Sequence, residues 1–349
     1  MAESWFDGIR KRPGMWVGST GAAGLLNLLL EVVSNSLDLV MAGTADVISV
    51  STAVGGMVSI TDNGRGMSVD STLVEEVFTV PRRTPTMDGH QPHVHLAFGI
   101  GLAPVNALCR RVEIEVRTDE GVFTAAFGRG QLLDPLTRVS DATNETGTTV
   151  RLWPDSEIFG TTSVDVDAFR TRMTELTWIR HGLVVEFDGE PIGPTSDLSE
   201  MFHGLREYGH PMRLSHEAPL MIVHEDDDAS VELALGWREN GAGLHIRSFC
   251  NFRELAEPGV QHLGIEEGLR LALGQAPMGE VLRRTAAALN IVMLDPEIGG
   301  PTRSRLDSPE AVWLIADAIA EQLPGLLAKD AELAADLRSI VPWRNSSQT

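Results

Sequence analysis

The sequence predicts an α+β chain with two domains, and three observations lead there. First, 349 residues with 43% hydrophobic content are enough for two separate cores. Second, strand-like alternation in "VISV", "MVSIT" and "VELALGW" is interspersed with long helix-period apolar runs, above all residues 22–41. Third, a second series of strand and helix patterns begins near "LSEMFHGLREYG", at residue 198.

Taken in order, "AAGLLNLLLEVVSNSLDLVMAG" reads as an amphipathic helix. Leu25, Leu29, Val32, Val33, Leu37 and Val40 fill one side, while Glu31, Asn35 and Asp38 fall within roughly 60° of one another on the other. Two strands around "VGG" follow as a hairpin, the second ending in the glycine-rich "DNGRG". Residues 68–80 read as helix and 81–97, with prolines and His90, His93 and His95, as a long loop. "FGIGLAPVNALCRR" opens a helix directly behind glycines, followed by strands at "VEIEVRT", "VFTAAFG" and "TTVRLWP", a helix at 166–178 and a strand at "LVVEFDG". The acidic pair in "VDVD" (164–167) reads as the cap of that helix. The second unit reads as strands "LMIVHE", "VELALGW" and "LHIRSFCN", a helix at 264–274, the strand "AALNIVMLDPE", the loop "IGGPTRSR" and a helix at 309–327. The acidic run "HEDDD" (224–228) reads as a solvated hairpin turn, not a metal site.

Composition narrows the chemistry. The net charge of −21 argues against the chain gripping DNA by itself, because non-specific nucleic-acid affinity comes from Lys and Arg against phosphate. Lysine occurs only at Lys11 and Lys329, and no G-x-x-x-x-G-K-[ST] loop is present. Two distant cysteines, Cys109 and Cys250, suit neither a disulfide framework nor a metal cluster. No uninterrupted apolar stretch of membrane-spanning length and no signal peptide is legible, so the expectation is a cytoplasmic protein with no membrane partner.

Each part of the first unit has a physical use in holding a nucleotide. Asp62, at a strand end, can accept the adenine amino hydrogen bond, and Gly64 and Gly66 let the backbone approach base and ribose. The N–H groups opening the helix after Gly99, Ile100 and Gly101 suit phosphate oxygens. Asn35 offers a neutral oxygen to Mg²⁺, and Glu31, one turn earlier, can deprotonate an attacking water.

In this order the motifs "IRKRPGMWVGST" (9–20), "EVVSNSLD" (31–38), "ITDNGRGM" (60–67), "FGIGLAPVNAL" (98–108), "TGTTVRLWP" (146–154), "SFCN" (248–251), "IVMLDPE" (291–297) and "PTRSRLDSPE" (301–310) resemble a known family. It is the ATPase region of the DNA gyrase B protein and its topoisomerase IV counterpart, in the GHKL superfamily with Hsp90, MutL and histidine kinases. The resemblance implies a two-layer α/β sandwich of the GHKL (Bergerat) type at 1–198, a ribosomal protein S5-like transducer at 199–342, and a disordered tail at 343–349. It implies ATP and Mg²⁺ as ligands, Glu31 as general base, and Asn35 as the magnesium ligand. It also implies that Asp62 reads adenine with a water fixed by Thr148, and that Phe98, Gly99, Ile100, Gly101 and Leu102 wrap the phosphates. Asp38, Gly64, Gly66 and Met67 complete the nucleotide set.

The family's transducer presents a Gln-Thr-Lys loop to the γ-phosphate. Here that loop is Pro301-Thr302-Arg303, and Arg303 can supply the positive charge. Two lid glycines and a histidine are replaced around His95-Leu96-Ala97-Phe98, and Leu39 stands where the family pairs a glutamate with the arginine of "GRG", here Arg65. Only about eight residues precede "IRKRPGM", so Trp5 and Phe6 are expected against the parent domain more than across a dimer. No strand-cleaving tyrosine or cleavage-domain motif occurs in these residues, so DNA cleavage by this chain alone is not expected. The expected function is Mg-dependent ATP hydrolysis that drives a conformational change or homodimerisation and acts on an unidentified protein partner. The alternatives are a non-hydrolysing ATP-binding regulator or decoy of gyrase, and a pocket redirected to phosphoryl transfer in a biosynthetic pathway.

Overall fold

The computed structural model describes residues 5–80, 93–94, 96, 99–193, 197–207, 210–211, 215, 218–226, 229–241, 243–274, 276–300 and 304–340. The chain divides into two compact units, Met1–Thr195 and Ser196–Thr349.

The first unit begins with α1 (Trp5–Lys11), α2 (Gly14–Val17) and α3 (Ala22–Met41). Then come β1 (Val47–Ala53), β2 (Met57–Asp62), α4 (Ser71–Thr79), α5 (Leu102–Leu108), β3 (Cys109–Thr118), β4 (Gly121–Gly128), β5 (Gln131–Ser140), β6 (Gly147–Pro154), α6 (Val166–Ile179), β7 (Val184–Phe187) and β8 (Glu190–Pro191). The eight strands form one sheet in the order β5-β4-β3-β6-β2-β1-β7-β8, antiparallel except where β1 runs parallel to β7. Helices α3, α5 and α6 pack on this sheet. The β1–β2 hairpin turns through Gly55 and Gly56 at φ +88° and +74°, a conformation that glycine adopts without steric cost.

Helix α3 is the spine of the unit. Leu25, Leu28, Leu29, Val33 and Leu37 are fully buried, because their spacing keeps them on the side facing the sheet. At 20 residues each, α3 and the second unit's Glu310–Lys329 are long and apolar enough to cross a membrane, although acidic residues interrupt both. In α3, 67% of that apolar window is already buried inside the protein.

The second unit contains α7 (Leu198–His203), β9 (Arg206–Glu207), β10 (His210–Pro211), β11 (Leu220–Glu225), β12 (Ala229–Trp237), β13 (His245–Cys250), β14 (Arg253–Glu254) and α8 (Val260–Leu273). It ends with α9 (Met278–Arg284), β15 (Thr285–Met293), β16 (Ile298–Gly299), β17 (Arg305–Leu306), α10 (Glu310–Lys329) and α11 (Ala331–Ile340). A mixed sheet, β11-β12-β15-β13-β14, carries the core, with β13 and β15 parallel. Helices α8 and α10 pack together at glycine distance. A Cβ on Gly264 would lie 2.9 Å from Ile315 Cβ, and one on Gly268 2.8 Å from Ile319 Cβ.

Several elements depart from the sequence expectation. Strand β5, α9 and α11 were not anticipated, and α8 starts four residues before the expected position 264. Strand β5 is an exposed edge strand interrupted by Pro135, so it shows no apolar alternation. The "IGGPTRSR" segment is flanked by the short β16–β17 pairing.

Candidate nucleotide site

The site residues fall into two clusters joined by α3. The first is an open cleft of about 210 Å³ lined by Glu31, Ser34, Asn35 and Asp38 of α3, by Val77 and Val80, and by His93, Val94 and Gly99–Ala103. Along the polar stripe of α3, Glu31 and Ser34 are buried, Asp38 is half-buried and Asn35 is exposed in the cleft. The stripe receives two backbone N–H groups: Val94 N donates to Asp38 Oδ1 at 2.7 Å, and Leu96 N to Ser34 Oγ at 3.2 Å.

Glu31 is 3% exposed. Its Oε1 accepts Gly99 N at 2.9 Å, while Oε2 accepts Ile100 N at 2.9 Å and Gly101 N at 3.2 Å. The residue expected to be a base and the amides expected to bind phosphate are therefore bonded to each other. Gly99 and Gly101 both have positive φ (+64° and +73°), and alternation of this kind turns successive N–H groups into an anion-binding concavity. Gly101 also N-caps α5, and Leu102 is its first, buried residue.

Asn35 meets the requirement for a hard cation. Its Nδ2 donates to the Glu31 carbonyl at 2.8 Å, which commits the amide nitrogen to the helix and leaves Oδ1 as the atom available to a ligand in the same cleft. A carbonyl oxygen beside carboxylates is a suitable donor set for Mg²⁺ that keeps most of its waters.

The second cluster surrounds Asp62, which is 4% exposed at the end of β2. Its Oδ1 accepts Gly64 N at 3.0 Å and Thr148 N at 3.2 Å, and its Oδ2 accepts the Ser36 hydroxyl at 3.1 Å. Burial pushes the Asp62 carboxyl above its usual value, opposed by the Gly64, Thr148 and Ser36 hydrogen bonds and by the Arg117 charge. Met67 N donates to Thr148 Oγ1 at 3.1 Å, tying the glycine loop to β6. Gly66 is at φ +79°, and a Cβ there would lie 2.8 Å from the Arg117 carbonyl oxygen.

Of the expected set, Glu31, Asn35, Asp38, Gly99, Ile100, Gly101 and Leu102 meet in the first cluster, and Asp62, Gly64, Gly66, Met67 and Thr148 in the second. Phe98 and Arg303 lie outside the described residues, as do His90 and His95 and the Pro301-Thr302 pair. His93 sits at the cleft, with Nδ1 3.6 Å from Asp38 Oδ2. Ser34 and Ser36 were not singled out by the sequence. Two hydroxyls beside the carboxylates in mid-helix, where serine is a weak helix former, were the available signal. Leu39 Cδ1 would lie 2.6 Å from a Cβ on Gly64, and exposed Arg65 has no ion-pair partner among the described residues. Phe6 packs against Gly130 of its own unit, and Trp5 against Phe6 and Trp16.

The first unit has the fold of the nucleotide-binding domains of the GHKL class. The family described as "Histidine kinase-, DNA gyrase B-, and HSP90-like ATPase" matches residues 20–158. Across both units the chain is similar to the ATPase region of the gyrase B and topoisomerase IV proteins. It is 30% identical to the gyrase B protein of Haloferax volcanii over 95% of its length, covering 56% of that protein. To the gyrase B protein of Streptomyces coelicolor it is 29% identical over 95% of its length, covering 54%. The 43K ATPase domain of Thermus thermophilus gyrase B, solved in complex with an aminocoumarin, superimposes with a TM-score of 0.79 at 25% identity, covering 96% of this chain and 93% of that one. The topoisomerase IV ATP-binding domain of Francisella tularensis shares the fold with a TM-score of 0.79 at 20% identity, covering 96% and 94%. The chain thus spans about half the length of the curated relatives it matches.

Proposed function

We propose that this chain binds ATP with Mg²⁺ and hydrolyses it, and that the second unit acts as the transducer that carries the nucleotide state to a second copy or another protein. The observation that supports this best is the convergence of a buried carboxylate and a glycine-built amide concavity in one cleft, with an adenine-reading carboxylate held on the same helix through Ser36. In this reading Asp62 Oδ2 accepts the amino group of the base, and Thr148 fixes the glycine loop beside it. The Gly99–Gly101 amides hold phosphate oxygens. Glu31 takes a proton from water as the water oxygen bonds to the γ-phosphorus and the bond to the β–γ bridging oxygen breaks, giving ADP and phosphate. Asn35 would hold Mg²⁺, which when bound would supply charge neutralisation on the phosphates. Asp38 holds the backbone at Val94.

A second reading, nucleotide binding without turnover, is supported by the three N–H bonds already committed to Glu31. Phosphate release from ATP with Mg²⁺, measured over a range of protein concentrations for the wild type and Glu31→Ala, separates the two. Loss of about 10²–10⁴-fold in turnover in the variant supports Glu31 as the base. A rate per molecule that rises with concentration supports a dimeric engine. Wild-type turnover no faster than the variant's selects the second reading.

A further inference from the structure

The amides of Gly99, Ile100 and Gly101 donate to an anion that belongs to the protein itself. Each backbone N–H has one hydrogen to give, and here all three are given to Glu31 at 2.9, 2.9 and 3.2 Å. Carboxylate and phosphate oxygens are the same class of acceptor for such donors, and both make charge-assisted bonds with them. The two cannot hold the same three hydrogens at once.

We infer that this concavity is an exchange site: Glu31 occupies it when no nucleotide is bound, and an entering phosphate group displaces the carboxylate and so frees it to accept the proton of water. Glu31 is then an internal competitor of the phosphate as well as the base. The inference rests on the ATPase reading and adds a regulation to it, because the base is released only when the amides have found another anion. Hydrolysis is thereby tied to correct phosphate seating.

Two contacts extend the same device along α3. Ser34 Oγ and Asp38 Oδ1 accept Leu96 N and Val94 N, one and two turns beyond Glu31, so Leu96 and Val94 are fastened to the helix at successive turns. Ser34 in turn donates to the Leu30 carbonyl at 2.8 Å, which fixes its lone pairs toward the segment. The cleft residues that a phosphate would meet are those that now hold one another.

The test uses the full chain, with ATP and Mg²⁺ or adenosine titrated by calorimetry and amide hydrogen exchange followed without nucleotide. In Glu31→Ala the Gly99–Gly101 amides lose their acceptor, so their exchange should speed by about tenfold or more, and ATP should bind about tenfold tighter while adenosine is unchanged. Glu31→Gln, which keeps the shape and one carbonyl oxygen, should fall between the two and covers the case in which the alanine variant does not fold. Unchanged amide exchange, or an ATP-to-adenosine affinity ratio that stays level or drops, overturns the exchange while leaving ATP binding intact. A merely structural Glu31 would loosen the loop and weaken ATP, which is the opposite sign. If neither ATP nor adenosine binds the wild type, the nucleotide reading fails and the exchange fails with it.

Discussion

Ser36 donates its hydroxyl to Oδ2 of Asp62 at 3.1 Å, with both side chains buried, so the helix that carries Glu31 also fixes the carboxylate at the end of β2. Asp62 is held above its ordinary value by burial, and the Ser36 bond is one of the contacts that oppose this. Removing it in Ser36→Ala should raise the Asp62 value further. The acid limb of adenosine binding should then move to higher pH, as followed by calorimetry between about pH 4 and 8. A raised carboxylic acid contributes stability that is complete below its unfolded value of 3.8 and is lost as pH rises through the folded value. Asp62→Asn should accordingly gain melting temperature on the wild type as pH rises from below 3.8 to neutrality, although it reads the base poorly.

Gly66 is required by its backbone. At φ +79°, with the Arg117 carbonyl oxygen 2.8 Å from where a Cβ would stand, Gly66→Ala combines strain with a clash. Thermal melting should show a loss of about 1–3 kcal/mol. Gly8→Ala is the contrasting control, since nothing lies within 4 Å and the residue is inside α1. That change should be neutral or stabilise by up to about 1 kcal/mol.

Asp155, 1% exposed, receives Arg10 Nη2 at 2.8 Å and Arg129 Nε at 3.1 Å, while Arg10 also donates to the Ala107 carbonyl. The residue thus ties α1 and the β4–β5 turn to the end of β6. Burial acts to raise its carboxyl, but the Arg10 bond, the Glu157 N–H and the two guanidinium charges outweigh it, and the net shift is downward. A lowered carboxylate contributes stability above its unfolded value of 3.8 that is lost as pH falls through the folded value. Asp155→Asn should therefore cost stability at neutral pH and lose less than the wild type on acidification, as read by urea unfolding under the two conditions. Asp155→Ala, which takes from Arg10 its buried carboxylate, should cost about 3 kcal/mol or more.

Contact between α8 and α10 depends on the missing side chains of Gly264 and Gly268. Gly268→Ala brings a methyl to 2.8 Å from Ile319 Cβ and should cost about 1–3 kcal/mol. Ile319→Gly, which removes the Cβ that the new methyl would meet, should make the cost of Gly268→Ala smaller in that background. A double-mutant cycle by thermal or urea unfolding measures the coupling, and strict additivity would show that the two sites do not press on each other.

Much of the fold was legible where a period and a punctuation mark agreed. The apolar side of α3, the "VGG" turn and the Asp165 cap, which accepts Ala168 N at 3.1 Å, all declare themselves locally. Strand β5 was not legible because an exposed edge strand has no buried face to impose alternation. Helix α11 was missed although Asp330 caps it through Leu333 N and its buried Leu333 and Leu337 are spaced by one turn. Within the site, the stripe of Glu31, Asn35 and Asp38 was visible from spacing. What spacing could not show is that Gly99, 68 residues later, bonds Glu31, since that depends on the path of the chain between them.

The lining of the cleft also sets its charge balance. Its residues include the carboxylates of Glu31 and Asp38, one imidazole at His93, and no lysine or arginine among the described residues. A triphosphate entering there adds several negative charges to two already present, in a place where opposing cations must come from outside that lining. Neutralising charge is therefore a condition of entry as well as of chemistry. The affinity for ATP, and not only its turnover, should fall steeply when Mg²⁺ is chelated, while adenosine, which brings no charge, should bind as before.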